Sequence, residues 1–442
     1  MLAESGIFRN MQSITYYRPA EETLTPHALA SLQREKLADL LKEIIGKNAF
    51  YTAKFAGLTF NPLRDPLHAL PFTTRKELEA DQLSHPPYGR ILTYPPDQYC
   101  RLHQTSGSGG RAMRWLDTRQ SWDWFKQLWG TIYSAAGVKR ADRILFPFSF
   151  GPFVGFWAAF ESAAALGNLA LAAGGMTTTA RLKMMIENEA TVVCCTPTYA
   201  LRMAEVAREE GIDLAATQVS KLIVAGEAGG SIPEVRSRIE QSWGARVFDH
   251  TGMTEIGALG FECEQAPLGV HLNEAECIAE VIDPVTGQNL PDGEAAGELV
   301  LTNLGRWGSP LIRYRTNDHV RLTRRKCACG RWFARMEGGI LGRLDDMITV
   351  RGNNVFPAGI EAVIRRFPQV AEFRVTISGN GALAEVSIEL EPAGDAVAQN
   401  LAEQVARAVQ DTLSFRAQVL TVPRGTLPRF EMKSRRFIKR TT

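Results

Sequence analysis

The pattern of apolar and polar positions changes character along the chain. Residues 1–100 read as helical stretches interrupted by proline-rich turns, at Pro62, Pro66, Pro71, Pro86 and Pro87. From Leu102 onward, short apolar runs alternate with helical segments. In order they are RILFPFSF, GFWAAFESAAALG, LALAAGG, a helix around 180–189, TVVCCTP, a helix over 198–210, KLIVAGE, a helix over 233–243, and ARVFDHTG. Continuous apolar strands separated by single helices predict a mostly parallel sheet with crossover helices. From Leu268 to Leu322 the runs AECIAEVI, GELVLTN and DHVRL are spaced by the turn signals DPVTG, PDGE and LGRWG, which predicts an antiparallel or barrel-like β unit. After Gly342 comes a strand, an NNVFP turn, a helix over 358–367, strands FRVTIS and AEVSIEL, a helix over 396–410 and a strand AQVLTV, which together predict a small α+β unit.

A chain of 442 residues is long for a single core, so the expected fold class is α/β with more than one domain. The boundary is expected at 342–346. An N-terminal domain over 1–342 would hold mostly parallel sheets and a β-rich subdomain around 263–340, and a small mobile C-terminal α+β domain would span 343–442. A net charge of +2 gives no sign of a nucleic-acid or membrane-surface partner. No stretch approaches the ~18 uninterrupted apolar residues of a membrane span. The start, MLAESGIFRNMQS, lacks the basic region and apolar run of a secretory signal. Seven cysteines, an odd number, do not make a disulfide framework, and a reduced cytoplasmic setting is expected.

The segment HQTSGSGGRAMRW sets Thr105, Ser106, Gly107, Ser108, Gly109, Gly110 and Arg111 in a row. Small and hydroxyl residues let backbone N–H groups approach phosphate oxygens. The spacing is not that of a P-loop, and alone such a segment also describes a flexible turn. Several further motifs follow it in order: TPTYALRMAE at 196–205, IVAGEAGG at 223–230, HTGMTEIG at 250–257, RYRTND at 313–318, GRLDDMITVRGNNVFP at 342–357 and LPRFEMKSRR at 427–436.

In these motifs the chain resembles the adenylate-forming superfamily of acyl-CoA synthetases, and within it the phenylacetate-CoA ligases, from about Pro71 to the C-terminus. The resemblance implies roles residue by residue. The loop 105–111 would bind ATP phosphates, with Arg111 in the family's lysine position. Gly226, Glu227 and Ala228 would frame the adenine, alongside His250, Thr251, Gly252 and Met253. Thr251 stands where the family usually has tyrosine, and His250 is the candidate to replace that ring in part. Glu255 would hold Mg²⁺ on the phosphates, a hard oxygen ligand for a hard cation, with Thr254 beside it. Asp318 would accept from the ribose hydroxyls, and Arg343 would lie near the same ribose. Asp345 falls at the family hinge, and Lys433 at the catalytic lysine, a mobile point charge suited to developing charge. Met432 replaces the family glycine before it. Arg365, Arg366 and Arg436 are candidates for the CoA phosphates.

Rings crowd FPFSFGPFVGFW, and Phe148, Phe150, Phe153, Ala225 and His250 are the expected pocket for an aromatic carboxylic acid. Cys263, His271, Cys327 and Cys329 form a candidate structural Zn²⁺ set of three thiolates and one imidazole, although C-x-C is tighter than the usual spacing. Cys194, Cys195 and Cys277 read as core. The expected activity is ATP-dependent activation of an aromatic acid as its acyl-adenylate, then thioester formation with coenzyme A. An alternative passes the acyl group to an amine, a carrier-protein thiol or another nucleophile. A binding protein that kept the fold is a third reading. The resemblance also implies a homodimer.

Overall fold

The computed structural model describes residues 14–105, 112–291, 293–350, 353–379, 385–394, 400–431 and 433–440. The Gly-rich residues Ser106 to Arg111, and Met432, lie outside these segments.

The N-terminal helices α1 (Pro19–Glu22), α2 (Pro26–Ile44), α3 (Ala49–Lys54) and α4 (Arg75–Ser84) start at side-chain caps in three cases. Thr25, Asn48 and Thr74 each accept a first-turn N–H, and Thr74 with Glu77 completes a capping box. A hairpin follows, β1 (Tyr99–Thr105) and β2 (Met113–Thr118), with the Gly-rich segment between its strands. Helix α5 (Arg119–Ala135) then buries Trp122, Trp124, Phe125, Leu128 and Trp129.

The alternating region forms as predicted: β3 (Arg143–Phe146), α6 (Trp157–Ala165), β4 (Leu169–Ala172), α7 (Thr178–Glu187), β5 (Val192–Cys195), α8 (Pro197–Glu209), β6 (Lys221–Val224), α9 (Pro233–Trp243) and β7 (Arg246–Met253). Strands β4, β3, β5, β6 and β7 pair in parallel in that spatial order. Cys194 and Cys195 are core residues within it, as their apolar context suggested.

The β-rich stretch does not close into a barrel. Strands β8 (Gly257–Cys263), β9 (Ala266–Leu272), β10 (Cys277–Ile282), β11 (Glu294–Asn303), β12 (Tyr314–Thr323) and β13 (Arg335–Arg343) extend the parallel sheet antiparallel from β7. The result is one 11-stranded sheet, in the order β10-β11-β12-β13-β9-β8-β7-β6-β5-β3-β4. β7 serves both halves because its first residues pair with β6 and its last with β8.

A second hairpin, β14 (Ile348–Val350) and β15 (Asn353–Val355), leads into α10 (Pro357–Arg365), β16 (Val370–Ser378), β17 (Glu385–Pro392), α11 (Leu401–Leu413), β18 (Gln418–Thr421) and β19 (Phe437–Arg440). Residues 353–355 form a strand where a turn was expected. The four-stranded sheet β18-β17-β16-β19 packs its own apolar cluster, including Ile360, Phe373, Ile388 and Val405, against α10 and α11.

Candidate active site

In the parallel half of the sheet the chain runs outward from β3 to β4, then reverses to β5, β6 and β7. Such a reversal leaves a crevice beyond the carboxyl ends of the strands, the usual ligand position in an open α/β sheet. Four of the motif-bearing segments follow those ends: 147–150 after β3, 196–198 after β5, 225–230 after β6 and 254–256 after β7.

Asp318 and Arg343 face each other in register on β12 and β13, 3.6 Å apart. The two arginines of RYRTND are occupied elsewhere: Arg313 pairs with Glu280 at 2.9 Å and Arg315 with Glu298 at 2.5 Å. Asp318 is buried, and its Oδ2 has no partner among the described residues. Burial raises its carboxyl to about 7, opposed by Arg343. A buried carboxylate oxygen without a donor fits a ligand that brings hydroxyl groups.

Glu255 sits in the turn after β7 and accepts from the Tyr314 hydroxyl at 3.2 Å. The turn is held from beneath. Arg306 donates to the carbonyls of Thr254 (2.8 Å) and Glu255 (2.7 Å) while its other nitrogens meet both oxygens of Asp117 (2.7 and 2.9 Å). Both Arg306 and Asp117 are fully buried. Burial alone would raise the Asp117 carboxyl, but Arg306 and His103 together outweigh it and hold the group below the ordinary carboxylate range. Since Asp117 lies on β2, this pair also fixes the β1–β2 hairpin relative to Glu255. At the end of β1, the Thr105 hydroxyl is buried with no partner among the described residues.

Lys433 lies across the loop after β6. A Cβ added at Gly226, which has φ +95°, would stand 3.4 Å from Lys433 Cε. The lysine side chain keeps access to solvent in the cleft, yet the protein around it desolvates the ammonium and lowers its pKa; Glu227, Glu255 and Asp318 oppose that shift, and Arg343 adds to it. Four motifs far apart in sequence therefore converge on one cleft.

His250 turns to Trp129, 4.6 Å between rings, and its Nδ1 contacts the Gly260 carbonyl at 2.5 Å. Neighbouring strand residues point to opposite faces, so His250 does not fill the side of Thr251 where the family ring would stand. Burial lowers the imidazole to about 4, which keeps it neutral. Phe148 and Phe150 pack edge to face at 5.5 Å, and Trp157 and Phe156 join them. Trp129 lies 6.0 Å from Phe156, so His250 and this ring cluster share one wall. Ala225 packs against the same core. Phe153 lies over Gly151 instead.

Asp345 is exposed in the turn after β13, 3.3 Å from Arg343 Nε, and its carbonyl accepts from Lys439 at 3.1 Å. Arg365 and Arg436 are buried beside Glu361 and Glu372, and Arg366 pairs with Glu234, so in this arrangement none of them is a free cation.

Sequence reasoning missed Arg75. Its Nε donates to Glu79 at 2.7 Å, its Nη2 is buried without a partner among the described residues, and its charge interacts with Glu255 and Tyr314. The capping box Thr74-x-x-Glu77 was the available signal, because it places Arg75 in the first turn of α4, beside the cleft.

Away from the cleft, Cys263, His271, Cys327 and Cys329 bring their ligand atoms within 4.8 Å of one another. His271 Nε2 lies 3.7 Å from the sulfurs of Cys263 and Cys329, and its Nδ1 is 3.2 Å from the Phe333 carbonyl. That carbonyl orients the ring with Nε2 toward the thiols, a donor set suited to Zn²⁺.

Residues 352–440 match the AMP-binding enzyme C-terminal domain family. Phenylacetate-coenzyme A ligase of Thermus thermophilus is 30% identical over 441 residues, 94% of this chain and 97% of that protein. A crystal structure of 2-hydroxyisobutyryl-CoA ligase in the postadenylation state, in complex with 2-HIB-AMP, superposes with a TM-score of 0.89 at 28% identity, covering 96% of this chain and 92% of that one. The same ligase in the thioesterification state, with 2-HIB-AMP and CoA, gives 0.72 at the same identity and coverage. The chain belongs to the phenylacetate-coenzyme A ligase family of adenylate-forming enzymes.

Proposed function

We propose that the protein activates an aromatic carboxylic acid with ATP and transfers the acyl group to coenzyme A, releasing pyrophosphate and AMP. The observation that carries this reading is the convergence of Asp318, Arg343, Glu255 and Lys433 on one cleft at the carboxyl edge of the parallel strands. The acid carboxylate attacks the α-phosphorus, a carboxylate–phosphoryl bond forms, and pyrophosphate leaves. Positioning and electrostatics supply most of the help such a step needs. Asp318 accepts from the ribose and Arg343 flanks it, while the loop 225–228 takes the base. Lys433 brings a positive charge to the reacting oxygens. Glu255 is the carboxylate that would hold Mg²⁺, which neutralises phosphate charge when bound. Arg75, whose charge interacts with Glu255, is the cation that would share the phosphates. CoA thiolate then attacks the acyl carbon and displaces AMP.

Residues 343–442 act as the lid, turning at Asp345 between the two half reactions. The chain's higher similarity to the postadenylation state agrees with Lys433 lying in the cleft. The wall of Phe148, Phe150, Phe156 and Trp157 favours a flat ring, and the neutral His250 behind it adds no charge. Similarity to 2-hydroxyisobutyryl-CoA ligase makes a small branched hydroxy acid the specific competitor. Acid-dependent ATP–pyrophosphate exchange across aryl, arylalkyl and hydroxy acids tests the choice. Exchange greatest with aromatic acids is expected, and exchange only with 2-hydroxyisobutyrate would overturn the aromatic assignment. We propose in addition that the Cys263–His271–Cys327–Cys329 set holds a structural Zn²⁺, and that the protein is a homodimer, which light scattering reads directly.

A further inference from the structure

We propose that Glu227 is the positioning residue that seats the lysine: its carboxylate bridges the N-terminus of α8 and the Ser434 backbone, holding Lys433 across Gly226 only in the adenylation orientation. The inference rests on the catalytic reading of Lys433 given above.

Helix α8 begins at Pro197 after the cap Thr196, so the Thr198 N–H is one of the first-turn donors that no helical carbonyl can reach. Glu227 Oε1 accepts it at 2.9 Å. Glu227 Oε2 accepts the Ser434 N–H at 2.7 Å, across 207 residues of sequence. Both bonds end on one ionised group, which makes them stronger than neutral ones, and the helix dipole favours a negative charge at that place. Arg436 ties the same two segments a second time, donating to the Thr198 hydroxyl at 3.1 Å. Gly226, beside Glu227, has φ +95°, which suits glycine in the turn, and Lys433 packs across it with Cε 3.4 Å from where a Cβ at 226 would stand, an ordinary contact.

Glu227 thus does two things for its neighbour. It fixes the backbone next to Lys433, and it is the foremost anion opposing desolvation of the ammonium. The other charges facing Lys433 are Glu255 after β7, Asp318 on β12 and Arg343 on β13. Rotation of the C-terminal part about Asp345 would carry Ser434 away, so the bridge belongs to the first half reaction alone. Glutamine cannot replace the carboxylate, because its NH₂ group would face an N–H donor.

The test uses full-length Glu227→Gln beside Lys433→Ala. ATP–pyrophosphate exchange is followed against pH as kcat/KM for ATP, and acyl transfer to CoA is followed from supplied acyl-adenylate. For Glu227→Gln, exchange is expected to fall by about tenfold or more, as loss of a charge-assisted hydrogen bond implies. Its alkaline limb should move to lower pH, and transfer should fall by clearly less than exchange. Equal loss in both half reactions with an unmoved limb would reduce Glu227 to a structural residue and overturn the proposal. Parent-like exchange in Glu227→Gln, with Lys433→Ala inactive in exchange, would overturn Glu227 alone. Parent-like exchange in Lys433→Ala would remove the catalytic lysine and this proposal with it. Ser434→Pro deletes the donor from the other side and should reproduce the exchange defect if Glu227→Gln fails to fold; normal exchange there would also overturn the bridge.

Discussion

The Asp318 oxygen that has no partner among the described residues predicts a pH dependence for ATP binding. Its carboxyl is raised to about 7 by burial, so near neutrality part of the population carries a proton. Ribose hydroxyls donate, and a protonated carboxyl has lost an acceptor, so ATP affinity should weaken as pH falls through 7. Asp318→Asn should bind ATP more weakly and lose that dependence. Calorimetric titration between pH 6 and 8 checks it, and a flat profile in the parent protein contradicts it. Arg75→Met should raise KM for ATP by about tenfold, the loss of one charge-assisted contact, with little change in melting temperature. An unchanged KM would remove Arg75 from the phosphate site. Asp318, Glu255 and Lys433 were legible because each sits in a short motif with fixed neighbours. Arg75 was not, because its part depends on where α4 lands on β12. The second function of Glu227, through its side chain, was hidden behind the expected function of its backbone.

At the scale of elements, the deepest brace under the site is the Arg306–Asp117 pair, which joins the β1–β2 hairpin to the turn of Glu255. Removing one partner leaves a buried charge uncompensated, so Arg306→Met should destabilise the protein by about 3–5 kcal/mol. Denaturant unfolding measures this, and a loss below about 1 kcal/mol would show that the pair is no brace. The proposed zinc set ties β8 and β9 to the turn at Cys327, next to Arg331, whose guanidinium is buried against Glu22. Purified protein should contain about one zinc per chain, as a four-ligand site implies, and a chelator should lower its melting temperature. Metal-free protein of undiminished stability would end the proposal. The parallel strands and their helices were legible from sequence because TP at 196–197 and Pro233 mark helix starts after continuous apolar runs. The extension of the sheet beyond β7 was not. β8 is buried along its whole length and shows no alternation, so nothing in GALGFEC announces that it continues the parallel sheet antiparallel.

For the whole molecule, the C-terminal part is held against helices α8 and α9 by scattered polar ties. Arg429 meets Glu205 at 3.1 Å, Arg366 meets Glu234 at 3.3 Å, and Arg238 donates to the Val370 carbonyl at 3.1 Å. Partly exposed ion pairs are each weak, which suits the rotation proposed above. Asp345→Pro should impede rotation, slowing thioester formation while adenylate formation persists; unchanged thioester formation would rule the hinge out. In the proposed reaction, one cleft makes an acyl-adenylate which coenzyme A then consumes. The most direct measurement is a single-turnover reaction of the protein with ATP, Mg²⁺ and an aromatic acid, with and without CoA, following acyl-adenylate, AMP and acyl-CoA by mass. Adenylate that stays bound without CoA, and is converted to acyl-CoA with equal release of AMP when CoA is added, is the expected result. Adenylate that forms but is indifferent to CoA, or no adenylate with any acid, would overturn the proposed function.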